Sequence, residues 1–289
     1  MDNIRPPRSA LYMPASNARA IDKARTLPCD VVILDLEDAV APDMKAMARD
    51  QAVSAVQAGG FGRRELVVRV NGLETPWGRD DVQAFAGSGV AAILAPKVSD
   101  ARDVEAYDAL LTGATRLWVM IETCRALFHL AEIADAASRT RLTAWVAGTN
   151  DLAKEMGCRL APGRTPLLAP LSLTVAAARM HGLAVLDGVY NRIEDEVGFR
   201  HECDQSVELG FDGKTLIHPS QVEPANRAFS PEASEVAWAR HVADAFAAPE
   251  AADKGVLRVD GKMVERLHLA QARQLIAVAD SIAAAELSA

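Results

Sequence analysis

The chain has 289 residues, half of them hydrophobic but only 5% aromatic, and carries a net charge of −8. That length suits one α/β barrel of about 250 residues plus a short appendage, with a core built mainly from Ala, Val, Leu and Ile. The negative balance excludes a general attraction to nucleic acid or to anionic membranes, so any anionic ligand must be held by local Arg and Lys.

Taken in order, the apolar runs predict eight strands, near residues 9–13, 31–36, 65–70, 91–96, 117–121, 143–147, 183–187 and 214–217. Between them lie segments of helical length and period, such as Pro42 to Gln57 and Ala101 to Leu111. Ser16 and Asn17 are placed to cap the first helix and Asp100 the fourth, while Gly59, Gly113 and Gly182 fall where helices should stop. Eight βα units close a (β/α)8 TIM barrel. A loop rich in Pro and Gly, RLAPGRTPLLAP, follows the sixth strand and is positioned to form a wall or lid. After His218 the pattern changes to a helix from Pro231 to Ala248, an extended GVLRVDGKM with a turn at Asp260-Gly261, and a final helix. The expected organisation is therefore a catalytic barrel over residues 1–228 and a C-terminal helical extension over 229–289, packed on its own or a neighbouring barrel. No stretch approaches the roughly 20 apolar residues that cross a bilayer. Cys29, Cys124, Cys158 and Cys203 show no CxxC spacing and no apolar signal peptide precedes them, so reduced thiols in a soluble cytoplasmic protein are expected.

The strands end, one after another, in a group able to bind a metal or an anion: Glu37 and Asp38, Arg69 and Asn71, Lys97, Glu122, Asp151, Asp187 and His218. In a parallel barrel such ends converge on one pocket at the C-terminal face. Glu122 and Asp151 close neighbouring strands, so their carboxylates can share a cation. Two carboxylates with the other positions left to substrate and water suit Mg²⁺ better than zinc. Each alone also reads as a strand-end salt bridge or a helix cap. The planar fork of Arg69 suits a carboxylate, and a metal plus an arginine grips a 2-oxo or 2-hydroxy acid. The competing reading of Arg69 is an ion pair with Glu37 or Asp38, and both can hold together. Asp35 and Glu37 alternate with Leu34 and Leu36, so they share a face, one entering the pocket and the other structural. His218 is either an acid–base group or a cap, and Lys97 either a Schiff-base lysine or a supporting charge. His129, His181, His201, His241 and His268 lack metal spacing and read as surface or packing residues.

Several strings, RSALYMPASN, VVILDLEDAV, VRVNGLETPWGRDD, APK, IET, GTNDLAKEMG, DGVY, GFDGKTLIHPSQV and DGKMVE, resemble the citrate lyase β-subunit-like family of CoA-ester lyases, within the HpcH/HpaI aldolase superfamily. The resemblance runs from about Arg8 into the last helix. It implies a homotrimeric or hexameric TIM-barrel lyase that uses Mg²⁺, with Mn²⁺ as a substitute. Its substrate would be a 3-hydroxyacyl-CoA of the citryl, malyl or citramalyl type, split to acetyl-CoA and a 2-oxo acid. Carried over by motif, Glu122 and Asp151 resemble the metal ligands, and Arg69 the anchor for oxyacid and enolate. Glu37 resembles an acid that holds this region in place. The backbone of Gly148, Thr149 and Asn150 would contact the acid's carboxylate, and Arg19 and Lys23 the CoA phosphates. One departure stands out. Relatives read GKMxDxP, with the Asp proposed to protonate the enolate carbon in a neighbour's site, whereas this chain reads GKMVERLHL and places Glu265 there. The extra methylene changes the reach by roughly 1.5 Å, a misplacement able to cost about 10²-fold in rate. Two other readings stay open: a metal-dependent aldolase acting on a free 2-oxo acid without CoA, and a non-catalytic subunit of a lyase complex.

Overall fold

A computed structural model describes residues 7–251 and 254–287. They fall into two compact units, Pro7–Phe229 and a second that begins at Ser230.

The first unit is a closed eight-stranded parallel barrel: β1 (Ser9–Pro14), β2 (Val31–Asp35), β3 (Glu65–Arg69), β4 (Ala92–Ala95), β5 (Arg116–Ile121), β6 (Leu142–Ala147), β7 (Ala184–Asp187) and β8 (Gly213–Leu216). β8 closes on β1 through the pairs Ser9↔Lys214 and Leu11↔Leu216. All eight predicted strands are present, with ends moved by a residue or two. Alternation sorts their side chains into two buried layers. Val31, Ile33, Val67, Leu94, Trp118, Met120, Val146 and Leu186 fill the barrel. Val32, Leu34, Val68, Ile93, Val119, Trp145 and Val185 pack with the surrounding helices. A side chain such as Leu34 or Ile33, fully buried, contributes roughly 1.5–3 kcal/mol.

The helices correct several sequence expectations. Asn17, not Ser16, caps Ala18–Ala24, its side chain accepting from the Ala20 amide at 3.1 Å. Pro42 opens a 3-10 turn, Pro42–Met44, and the α-helix itself is Lys45–Ala58, stopped by Gly59 at φ 63°. Asp100 and Asp103 form a capping box on Ala101–Asp108. This helix ends short of Leu111 because the chain tightens into Tyr107–Leu110 and Asp108–Leu111 bonds of i to i+3 type, leaving Gly113 beyond the cap. The second half of RLAPGRTPLLAP is helical, in Thr165–Leu167 and Leu168–Met180, so only residues 159–164 form loop.

In the second unit, helix Ala233–Ala247 and helix Arg266–Leu287 flank an antiparallel hairpin of β9 (Val256–Val259) and β10 (Lys262–Glu265). Asp260 and Gly261 both take positive φ, 48° and 79°, as a tight two-residue hairpin turn requires. Ala239, Val242, Val259, Val264 and Ala272 form its own small core. No described helix is long and apolar enough to cross a membrane.

Candidate active site

The alternation that fills the barrel also decides which strand-end charges reach its mouth. Asp35 follows Ile33, Arg69 follows Val67 and Glu122 follows Met120, each two residues on and therefore inward. With Tyr12, Asp38 and Asp151 they line a cavity of about 370 Å³ at the C-terminal ends of the strands.

Arg69 is 8% exposed and is held from three sides. Its Nε and Nη2 each donate to Asp35 at 2.7 Å, a bidentate pair. Nη1 lies 3.0 Å from Glu37 Oε2 and 3.4 Å from Asp38 Oδ2. The guanidinium carbon stands 4.8 Å above the centre of the Tyr12 ring. The expected pairs with Glu37 and Asp38 are both present, and Asp35 adds the bidentate one. Asp35 also lines the cavity and Glu37 does not, so Glu37 acts on the mouth through Arg69. Burial pushes the Glu37 carboxyl up to about 7 against the pull of Arg69, with Glu122 adding to the rise.

Glu122 is 3% exposed, and burial raises its pKa against the opposing pull of Lys97. The Lys97 amide donates to Glu122 Oε1 at 2.8 Å, and Lys97 Nζ lies 3.6 Å from the same oxygen. That ammonium also pairs with Asp151 Oδ2. The two carboxylates predicted to share a cation are therefore aimed at one positive charge. Two carboxylates facing one charge at a mouth open to substrate and water offer the oxygen donors that suit a hard divalent cation.

Gly148 follows β6 and opens helix Thr149–Glu155, which carries Asp151. A Cβ at Gly148 would collide with Glu122, so glycine lets the helix start against the buried carboxylate. Its amide donates to Ile121 O at 2.9 Å, and Gly148 lines the cavity with Thr149 and Asn150. The amides of Thr149 and Asn150, in the first helical turn, have no acceptor within the helix. The Asn150 and Asn191 side chains exchange hydrogen bonds of 3.2 and 2.8 Å across the rim.

The other predicted residues lie elsewhere. Arg19 and Lys23 are exposed, one turn apart on helix Ala18–Ala24, and neither lines the mouth cavity. Glu265 ends β10 in the second unit, exposed, its amide donating to His268 Nδ1 at 2.9 Å. His218 caps the turn Pro219–Gln221 by accepting from the Ser220 amide. Asp187 follows Val185 on the helix-facing side of β7, so it leaves the row of pocket residues altogether. Tyr12 was missed, although its place two residues after Ala10, an inward residue, marks it as inward too.

Residues 8–219 match the family described as HpcH/HpaI aldolase/citrate lyase. The chain is 50% identical over 279 residues to a (3S)-malyl-CoA thioesterase of Cereibacter sphaeroides, with 96% of each covered. It is 36% identical to an L-malyl-CoA/beta-methylmalyl-CoA lyase of the same organism, with 97% of this chain and 96% of the lyase covered. Among solved structures it is similar to protein CitE from Mycobacterium tuberculosis in complex with magnesium, acetoacetate and coenzyme A. That likeness has 29% identity and a TM-score of 0.78, over 96% of this chain and 99% of that one. A barrel mouth that gathers two carboxylates and a clamped arginine agrees with these likenesses, and the chain belongs to the HpcH/HpaI aldolase/citrate lyase family.

Proposed function

We propose that the protein is a Mg²⁺-dependent enzyme acting on a CoA thioester of a 3-hydroxy dicarboxylic acid of the malyl type, and that its net reaction is hydrolysis of the thioester. The observation that carries the substrate class is the convergence of Glu122, Asp151 and Arg69 on one cavity. Glu122 and Asp151 hold the metal, which when bound supplies Lewis-acid polarisation of oxygen. Arg69, kept rigid by Asp35 and Glu37, presents its charge to the carboxylate of the hydroxy acid. The amides of Thr149 and Asn150 are available to the same carboxylate. Arg19 and Lys23, on an exposed helix face, carry the expected contacts to the CoA phosphates.

Hydrolysis adds a water oxygen to the thioester carbonyl carbon and breaks the C–S bond. The thiolate leaves and takes up a proton, giving malate and CoA. Two things favour this outcome: the 50% identity to a protein named as a thioesterase, and Glu265 in the place where the family resemblance implies Asp. Only carbon–carbon cleavage needs an acid for the enolate carbon, so a changed acid is tolerable in a hydrolase.

The second reading is that cleavage, favoured by the likeness to malyl-CoA lyases. There the hydroxyl loses its proton, the carbon–carbon bond breaks, and the electron pair enters the thioester as an enolate, later protonated to acetyl-CoA. Incubating the protein and Mg²⁺ with (3S)-malyl-CoA, with citryl- and citramalyl-CoA alongside, decides between them. Free thiol and malate without glyoxylate are expected. Glyoxylate with acetyl-CoA in equal amounts selects the lyase, and no turnover of any ester, with or without EDTA, rejects both.

A further inference from the structure

Lys97 follows β4 after Pro96 and is one of three described non-glycine residues with positive φ, at 56°. An L residue adopts that left-handed conformation at a cost, so the surroundings must hold it there. What holds it is Glu122: the Lys97 amide donates to Glu122 Oε1 at 2.8 Å, and the same residue's ammonium lies 3.6 Å from that oxygen. The ammonium also pairs with Asp151, from the next strand's helix. Backbone and side chain of one lysine thus converge on the two carboxylates assigned to the metal. Glu122 is 3% exposed, so an uncompensated charge there is costly and a resident cation relieves it.

We propose that Lys97 is a built-in competitor of the divalent cation: its ammonium must give up the oxygens of Glu122 and Asp151 before metal takes them, and the lysine thereby sets how tightly the site holds metal. Like charges a few ångströms apart repel strongly in a partly buried site, so the lysine weakens metal binding and keeps the two carboxylates together otherwise. This inference rests on the metal reading of Glu122 and Asp151.

The test is Mn²⁺ binding followed by electron paramagnetic resonance on the full-length protein, with no substrate present. Lys97→Met should bind Mn²⁺ about tenfold tighter than wild type, given the loss of one nearby positive charge. Lys97→Arg, which keeps the charge, should stay within about twofold of wild type. In EDTA, Lys97→Met should melt below wild type, because the two carboxylates then face each other without a cation. Unchanged or weaker Mn²⁺ binding by Lys97→Met overturns the proposal. Wild-type protein gives a check that needs no variant: an amine-reactive label read by mass spectrometry should modify Lys97 faster when Mn²⁺ is added, and an unchanged rate also overturns it. The combined Glu122→Gln and Asp151→Asn variant separates the two levels. If it abolishes Mn²⁺ binding while Lys97→Met alters nothing, only the lysine inference fails; if it leaves binding intact, the metal reading fails.

Discussion

The barrel mouth and the charge cluster around Asp187 are built from the same kinds of charged residue, yet they are opposites. The cluster joins Asp187 at the end of β7 to Lys214 of β8, the Arg164 loop and helix Glu196–Leu209. Asp187 and Lys214 are both 0% exposed. Lys214 Nζ donates to Asp187 Oδ2 at 2.7 Å, to Gly188 O at 2.6 Å and to Glu202 Oε1 at 2.8 Å. Asp187 also accepts both bonds of Arg164 Nη1, at 2.9 and 2.8 Å, and the Ser206 hydroxyl at 2.6 Å. Burial alone would raise the Asp187 carboxyl, but Lys214 and Arg164 outweigh it and hold it down to about 2. At the mouth and just behind it, burial wins: Glu122 is pushed up, and Glu37, behind Arg69, reaches about 7. Lys97 and Asp151 there stay about one-third exposed. A carboxylate whose hydrogen bonds are complete serves the fold and has nothing left for a ligand. One short of partners serves a ligand and costs the fold some stability.

If that contrast is right, substitutions in the two regions should separate stability from activity. The largest effect is expected from Lys214→Met, which strands Asp187 and Glu202 in the protein interior. Breaking such a buried network costs about 3–5 kcal/mol of unfolding free energy, readable by urea denaturation. Glu122→Gln should do the reverse. Turnover of the malyl-CoA-type ester should fall on the order of 10²–10³-fold, while unfolding free energy changes by less than about 1 kcal/mol. A Glu122→Gln protein that unfolds as readily as Lys214→Met would break the comparison. Arg69→Lys comes next: it keeps the charge but loses the two-pronged bond to Asp35. kcat/KM should drop by about 10² through lost orientation, with KM carrying part of the change.

The division between these regions was half legible in the sequence. Parallel strands with apolar runs ending in polar groups announced the barrel, and the eight strands fell where the runs placed them. The convergence of Glu122, Asp151 and Arg69 on one cavity was legible as well, since the C-terminal ends of all the strands in a parallel barrel face one mouth. Asp187 was misplaced because the row of strand ends was read without its parity. Val185 on the helix side and Leu186 on the barrel side put Asp187 with the helices, and that information was present in the alternation. The bidentate partner of Arg69 was not readable in the same way: Asp35 and Glu37 share a face, and only the depth of the barrel decides that Asp35 takes both bonds. Lys97 was invisible as a partner of both carboxylates, because a left-handed lysine leaves no trace in composition or period. The position of Arg164 against Asp187 was likewise hidden, since the loop that carries it has no periodicity.

The smallest and most diagnostic effect is a pH profile with two limbs of opposite origin. Asp187 has a folded pKa of about 2, below its ordinary 3.8. Its contribution, about 2 kcal/mol, is fully present above the ordinary value and is lost as pH falls through about 2. Glu37 is shifted the other way, from 4.5 to about 7, so the folded protein holds its proton more tightly. Its contribution is present below pH 4.5 and disappears as pH rises through about 7. The groups around Glu37 are Arg69, Asp35, Asp38, Glu122 and Lys45, whose Nζ donates to the Glu37 carbonyl at 2.6 Å. Unfolding free energy measured by urea denaturation from pH 3 to pH 9 should therefore decline at both ends. Glu37→Gln should shrink the neutral limb and leave the acid one, and Asp187→Asn the reverse. Glu122, also pushed up by burial, and Asp100, held low by its bond from Arg102, supply the remainder of each limb. A single variant that flattens both limbs would mean that the mouth and the sealed cluster titrate as one network, and the separation drawn between them would be lost.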